Sequence, residues 1–266
     1  MKKNYKQIGD TPLYRFFHLN TSLDNYEAYL LAEDISYMKE DTNFYFKANT
    51  PIHTETENLI QLPEASETLD VYISDVIKNR VSHRKFEAHT LSQNTLSDIL
   101  FYSFGAKDNH SYDFMQSYAY PTAGGFNSLR IYLILNNIEG IKQGVYQYIP
   151  NQNALFNLNV SFSYDDYSLI TGSSDLALNS SFSVHIVGDM NYIGLKYGDR
   201  AYRFMNLEAG HAMQNLYLII TALELGIVAS GGFYDYDFLE NIGLLEDDFY
   251  LLYESFVGKY NMSINL

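Results

Sequence analysis

The sequence predicts an α+β fold, in which helices pack against a central sheet and one long buried helix runs through the core. Three observations carry this. From Asp199 to Leu225 there is no proline and no glycine except Gly210, while Ala201, Phe204, Met205, Met213, Leu216, Ile219, Ile220 and Leu223 recur at three- and four-residue steps. The runs Arg130-Ile131-Tyr132-Leu133-Ile134-Leu135 and Phe182-Ser183-Val184-His185-Ile186-Val187 are short and nearly continuously apolar, as expected of strands covered on both faces. Their order along the chain is helices, strands, the long helix and more strands.

Taken from the start, residues 1 to about 65 mix the aromatic clusters Phe16-Phe17 and Phe44-Tyr45-Phe46 with polar stretches and show no sustained periodicity. Short strands or an extended arm are expected there. Leu62-Pro63-Glu64 marks a boundary, so residues 1–65 form an N-terminal extension, a candidate substrate- or partner-engaging segment, and residues 66–266 the main domain. A helix is expected from Thr68, with Leu69, Ile73, Val76 and Ile77 on one face and Asp70 in the first turn. A second follows from Ser92 as N-cap through Leu96, Ile99, Leu100 and Phe104 to Gly105.

Pro121-Thr122-Ala123-Gly124-Gly125 is a turn of small residues ahead of the first core strand, able to let something flat lie against backbone. Val145 to Tyr148 and Ala154 to Phe156 flank Pro150-Asn151-Gln152-Asn153 and read as a hairpin. His185 on the second core strand reads as a hydrogen-bonded core histidine. The long helix is apolar almost all round in its second half, so burial on every side is expected. Gly226 stops it, and Ile227-Val228-Ala229 lead as a short β segment into the open turn Ser230-Gly231-Gly232. Asp235 to Leu244 makes a short helix and Tyr250 to Gly258 a closing strand.

Composition narrows the function. With 32 acidic against 17 basic residues the formal charge is −15, which argues against nucleic-acid binding through the bulk surface. Without cysteine there is neither a disulfide nor a thiolate, and no HExxH or histidine pair three or four apart suggests zinc. The N-terminus lacks the apolar core of a signal peptide and no run reaches the ~18–20 apolar residues of a membrane span, so a cytoplasmic protein without a membrane partner is the expectation. GxGxxG after a strand, GxxxxGK[ST] and GxSxG are all missing.

Two features could carry chemistry. Arg80, Ser82 and Arg84 lie in the densest basic segment of an acidic chain; guanidinium forks and a hydroxyl suit a phosphate, although a solvated, positively charged helix end would look the same. Glu208, His211, Gln214 and Asn215 put polar groups on an otherwise apolar helix, and read as a structural hydrogen-bond network.

These segments resemble a known family. Arg80-x-Ser82-x-Arg84-x-Phe86, Pro121-Thr122-Ala123-Gly124-Gly125, Lys196-Tyr197-Gly198-Asp199-Arg200-Ala201-Tyr202-Arg203 running into Leu207-Glu208-Ala209-Gly210-His211-x-x-Gln214-Asn215, and Gly231-Gly232-Phe233 are similar to the flavin-dependent nitroreductase superfamily. Within it they resemble the SagB-type dehydrogenases, which oxidise thiazoline and oxazoline rings of ribosomally made peptides to thiazole and oxazole. Phe17-His18-Leu19-Asn20-Thr21 resembles that branch's leading segment. Thr122 stands where serine is commoner, and Gly125-Phe126-Asn127 replaces a small-aromatic-proline run.

The resemblance implies a nitroreductase-like FMN-binding fold, with a central, mainly antiparallel sheet flanked by helices, built as a homodimer with the long helix at its interface. The cofactor is FMN, with its phosphate on Arg80, Ser82 and Arg84 and Lys259 as the candidate C-terminal contact. Pro121, Thr122, Ala123 and Gly124 would lie against the isoalloxazine, and Ser230, Gly231 and Gly232 near its polar edge. Lys196 and Tyr197 are the implied catalytic pair, one of them taking a ring proton while hydride passes to flavin N5, with dioxygen as terminal acceptor. The implied partners are an azoline-containing precursor peptide and a cyclodehydratase complex. Two other readings stay open at this point: an NAD(P)H-dependent nitro- or quinone reductase, and a flavin-free scaffold in a peptide-modifying complex.

Overall fold

The computed structural model describes residues 7–8, 11–38, 41–50, 56–107, 116–161, 164–245 and 248–260. In chain order the strands are β1 (Gln7–Ile8), β2 (Thr11–Pro12), β3 (Leu59–Gln61), β4 (Ala106–Lys107), β5 (Ser117–Tyr118), β6 (Leu129–Leu135), β7 (Gly144–Ile149), β8 (Ala154–Asn157), β9 (Phe182–Asp189), β10 (Gly226–Ser230) and β11 (Phe249–Gly258). The α-helices are α1 (Leu13–Asn20), α2 (Asn25–Met38), α3 (Thr42–Asn49), α4 (Ile73–Asn79), α5 (Gln93–Phe104), α6 (Tyr164–Ile170), α7 (Ser174–Asn179), α8 (Met190–Tyr197), α9 (Arg200–Ala222) and α10 (Asp235–Asn241).

Seven strands form one antiparallel sheet in the order β10-β11-β9-β6-β7-β8-β3. Every residue of β6 and β9 is buried, and the period of two sorts their side chains between two layers. Ile131, Leu133 and Leu135 face α5 and α9 through Leu96, Ile99, Met213 and Leu216. Tyr132 and Ile134 face the other side, where α6, α7 and α10 contribute Tyr167, Ala177, Phe238 and Leu239. This is the predicted α+β architecture. His185 is fully buried, stacks on Phe238 and bonds Ser183 through Nε2 at 3.1 Å. Burial lowers its pKa to about 3, as befits a neutral core histidine.

Two expectations need correction. The described part of residues 1–65 does hold short strands, β1, β2 and β3, but three helices, α1, α2 and α3, stand in place of an extended arm. Asp24 accepts the amides of Tyr26 and Glu27 while Glu27 accepts that of Asp24, a reciprocal cap that starts α2, and Asp41 accepts the Phe44 amide to start α3. The helix expected from Thr68 begins only at Ile73; Val76 is buried on it, but Ile73 and Ile77 stay exposed. The second half of the long helix carries no exposed residue from Leu216 to Leu223, in keeping with its apolar character, while ahead of it Leu207, Gly210, His211 and Gln214 form an exposed stripe along α9. No helix among the described residues is long and apolar enough to cross a membrane.

Candidate active site

Asp189 ends β9 and organises the approach to the site. Its carboxylate pairs with buried Arg130 at 2.8 Å and accepts the Asn191 amide at 3.0 Å, capping α8. Lys196 and Tyr197 are the last two residues of that helix, and Gly198 at φ 54° turns the chain into α9. The pair therefore closes α8 instead of opening the long helix.

The small-residue turn comes to meet them. Gly124 sits at φ 69°, and a Cβ placed on it would lie 2.5 Å from Tyr197 Oη and 2.6 Å from Lys196 Nζ. Glycine is required twice over, by the left-handed backbone and by the approach of these two polar atoms. The turn is anchored on α9: the Glu208 carboxylate accepts the Ala123 amide at 2.6 Å and the Ser128 hydroxyl, and Asn215 donates to the Ala119 carbonyl at 2.9 Å. Glu208 and Asn215 thus belong to a structural network, but one that reaches the turn, while His211 and Gln214 face outward. Pro121 is exposed, and Thr122 and Ala123 are half-buried.

Lys196 is almost fully buried in an aromatic enclosure. Its Nζ lies 4.9 Å from the Phe126 ring, 5.0 Å from Tyr45 and 5.2 Å from Tyr197, and donates to Tyr45 Oη at 2.7 Å. Burial, then the nearby Tyr45 and Glu208, raise the Tyr197 pKa to about 12, so its phenol is protonated at neutral pH and can donate a hydrogen bond. Burial raises Tyr45 as well, and brings Glu208 up to about 7 against the opposing pull of its bonds from Ser128 and Ala123.

Tyr45, Phe126 and Ser128 are the residues that sequence reasoning missed. The Phe44-Tyr45-Phe46 cluster was visible, but the Asp41 cap that makes it helical is the signal that would have placed Tyr45 on a packed face. Arg203 bonds the His18 carbonyl at 3.2 Å and the Thr21 hydroxyl, and Arg200 bonds the Thr21 carbonyl, so the start of α9 holds the end of α1.

The basic segment lies elsewhere. Residues 80–87 run beside the end of the sheet, with the His83 amide on Ile227 O at 2.9 Å and the Glu87 amide on Lys259 O at 2.8 Å. Arg80 lies 5.5 Å from the Tyr217 ring, and Ser82 Oγ is 3.0 Å from Tyr217 Oη, which also accepts the Ala229 amide at 2.8 Å. Arg84 opens onto a groove shared with Lys85, Phe86 and Asp175. Lys259 Nζ donates to the Glu224 carbonyl at 3.3 Å, beyond the end of α9. In the Ser230 turn the Gly232 amide is taken by Ser230 Oγ at 3.0 Å, and its carbonyl accepts the Gly172 amide at 2.6 Å. Gly231 is exposed, and a Cβ on it would meet nothing within 4 Å.

The structure therefore joins Lys196, Tyr197 and Gly124 in one place and Arg80 with Ser82 in another. Glu208 marks the first place on α9 and Tyr217 the second. Nine residues separate them, roughly 14 Å along the axis and about two and a half turns, which puts them on opposite sides of the helix. The exposed stripe of Leu207, Gly210, His211 and Gln214 runs between.

Comparison with known proteins gives the family and the fold. Residues 77–254 match the model of the Nitroreductase family. Over 187 residues the chain is 30% identical to a protein of Methanocaldococcus jannaschii named as a nitroreductase, covering 70% of this chain and 90% of that one. The chain belongs to the nitroreductase family, whose members are oxidoreductases that generally bind FMN. Among solved structures, a nitroreductase-named protein of Ralstonia eutropha superposes with a TM-score of 0.64 at 22% identity, covering 79% of this chain and 93% of that one. A chain of the Escherichia coli microcin synthetase McbBCD complex with truncated pro-MccB17 bound superposes with a TM-score of 0.59 at 19% identity, covering 90% and 98%.

Proposed function

We propose that this protein is an FMN-dependent dehydrogenase that oxidises thiazoline or oxazoline rings of a ribosomally made peptide to thiazole or oxazole, acting as a homodimer with dioxygen as terminal oxidant. The observation that carries the reading is buried Lys196 and half-buried Tyr197 closing on Gly124. The SagB-type resemblance of the KYGDRAYR segment supports it, as does the fold likeness to a chain of a peptide-bound synthetase complex.

The residues present fit FMN. Arg80 and Arg84 make no ion pair among the described residues, so their guanidinium donors suit a phosphate together with Ser82. The Gly124 turn offers backbone without a Cβ to a flat ring. Because the two groups lie on opposite sides of α9, a second copy packed along the exposed stripe is the economical way to bring one chain's turn to the other's arginines. When bound, FMN supplies the two-electron acceptor.

Aromatising an azoline removes a proton from one ring carbon and a hydride from its neighbour. The Lys196 nitrogen, as the neutral amine, takes the proton and becomes the ammonium, and the Tyr197 phenol donates a hydrogen bond that orients the ring or its carbonyl neighbour. The aromatic enclosure keeps water from the Lys196 nitrogen. The precursor peptide and a cyclodehydratase complex are the partners this chemistry requires, since the azoline must be formed first.

The test is anaerobic mixing of the purified flavoprotein with a synthetic peptide carrying one thiazoline, alongside NADPH. Bleaching by the peptide, with a product lacking two hydrogens, is expected. Bleaching by NADPH with an unchanged peptide would replace this reading with that of a small-molecule reductase.

A further inference from the structure

The match to the family covers residues 77–254, yet a side chain from outside that range reaches the centre of the candidate site. α3 delivers Tyr45, fully buried, with its ring stacked on Phe126 at 5.1 Å and 18° and its hydroxyl 2.7 Å from Lys196 Nζ. The same helix holds the catalytic turn, because Asn49 donates to the Gly125 carbonyl at 3.2 Å. Tyr118 donates to Asn49 in turn. α3 is therefore tied both to the glycine turn and to the lysine that the turn approaches.

A lysine stem has four rotatable bonds, and its nitrogen has no preferred direction of its own. In this enclosure the nitrogen donates an N–H to Tyr45 Oη and sits beside Gly124 and Tyr197 Oη, so this bond helps to set the direction of the group. Stacking on Phe126 holds the Tyr45 ring, so the anchor does not move with the lysine. We propose that Tyr45 is a positioning residue for the dehydrogenation: from the N-terminal extension, its hydroxyl aims the Lys196 nitrogen at the substrate side of the Gly124 turn. This rests on the reading of Lys196 as the proton acceptor. It also assigns the N-terminal extension a part in the site itself, through α3, which lies outside the matched residues 77–254.

Tyr45→Phe removes the hydroxyl and keeps the stacked ring, so the flavoprotein is expected to purify with unchanged FMN absorbance and melting temperature. With a synthetic thiazoline tripeptide as probe, kcat should fall about tenfold, the scale of one lost hydrogen bond in a buried site, while KM stays within about twofold. Reoxidation of the dithionite-reduced enzyme in air should be unaffected. If Tyr45 acts through Lys196, the double variant Tyr45→Phe/Lys196→Ala should be no slower than Lys196→Ala alone. Losses that multiply in the double variant, or a Tyr45→Phe rate equal to wild type while Lys196→Ala is slow, would overturn the positioning role and leave the functional reading standing. A Lys196→Ala enzyme as fast as wild type, or a wild type inert to the tripeptide, would overturn both. Should Tyr45→Phe lose FMN or unfold, the hydroxyl is a structural support and the positioning role is likewise overturned.

Discussion

The Glu208 carboxylate, buried midway along α9, accepts the backbone amide of Ala123 at 2.6 Å, and its other oxygen accepts the Ser128 hydroxyl. One side chain thereby fixes both ends of the turn that carries Gly124. Asn215, two turns further along the same helix, holds the turn's approach at Ala119. The long helix acts as the ruler on which the site is laid out, and the polar groups on its apolar surface are explained by what they hold.

Glu208 should make stability depend on pH. Its pKa in the folded protein is raised to about 7, mainly by burial, so the folded state binds a proton more tightly than the unfolded chain does. The stabilisation is complete below the ordinary carboxylate range and is lost as pH rises through about 7. Glu208→Gln mimics the protonated acid, with its carbonyl accepting from Ala123 and its amide donating to Ser128. The expected result is a melting temperature that falls less steeply between pH 5 and 8 than that of wild type. Glu254, raised to about 7 by burial while bonded to Tyr167 and Thr171, contributes in the same direction, so some slope should remain. Melting curves of unchanged slope would show that Glu208 is ionised throughout.

Two glycines should respond oppositely to alanine. Gly124→Ala forces a Cβ into a left-handed backbone and against Tyr197 Oη and Lys196 Nζ, so a cost of about 1–2 kcal/mol and displacement of the pair are expected. Turnover per bound flavin should fall more than stability. Gly231→Ala meets open space, and its melting temperature should match wild type within about 1 °C. Thermal denaturation of both variants, with flavin content measured in parallel, checks the contrast.

How far the sequence carries can be followed residue by residue. The strands β6, β9 and β11 and the helices α5 and α9 are legible because burial on a sheet or a helix face imposes a period that survives in the residues, and because Ser92 and Gly105 cap α5 as their types suggest. The motif positions Lys196, Tyr197 and Gly124 do converge, which spacing along the chain could not show. The N-terminal helices were not legible, since α1 spans only Leu13–Asn20 and α2 exposes Tyr26 and Tyr29 and carries no clean apolar stripe. The caps at Asp24–Glu27 and at Asp41 were the available signal. Tyr45 could not be assigned from sequence at all, because its role arises from a contact across 151 residues.

The arginine segment should govern cofactor retention. Arg80 and Ser82 meet at Tyr217, and neither Arg80 nor Arg84 has a carboxylate partner among the described residues, so a phosphate would be their counter-charge. Arg80→Ala/Arg84→Ala should weaken FMN binding by at least ~10-fold, through loss of charge-assisted hydrogen bonds, and release flavin on gel filtration. Lys259→Ala should cost less, because the Lys259 ammonium is already directed to the Glu224 carbonyl. Undiminished FMN in the double variant would move the phosphate site elsewhere.

The decisive variants are those of the pair itself. Tyr197→Phe and Lys196→Ala remove one polar atom each from beside Gly124 without touching Arg80, Ser82 or the Glu208 anchor, so the flavin spectrum should be retained. Loss of a positioned acid or base costs about 10²-fold or more, and flavin reduction by a thiazoline peptide should slow by that amount in a single turnover. Because the Tyr197 pKa is raised to about 12, the phenol stays protonated from pH 6 to 9, and the Tyr197→Phe deficit should be the same across that range. Removal of a ring proton is needed to oxidise the peptide and not to return electrons to dioxygen. Chemically reduced variants should therefore reoxidise in air at the wild-type rate. Variants that reduce as fast as wild type with the peptide would show that Lys196 and Tyr197 are packing residues at the end of α8, and would leave Glu208, the other titratable group bound to the Gly124 turn, as the next candidate for the base.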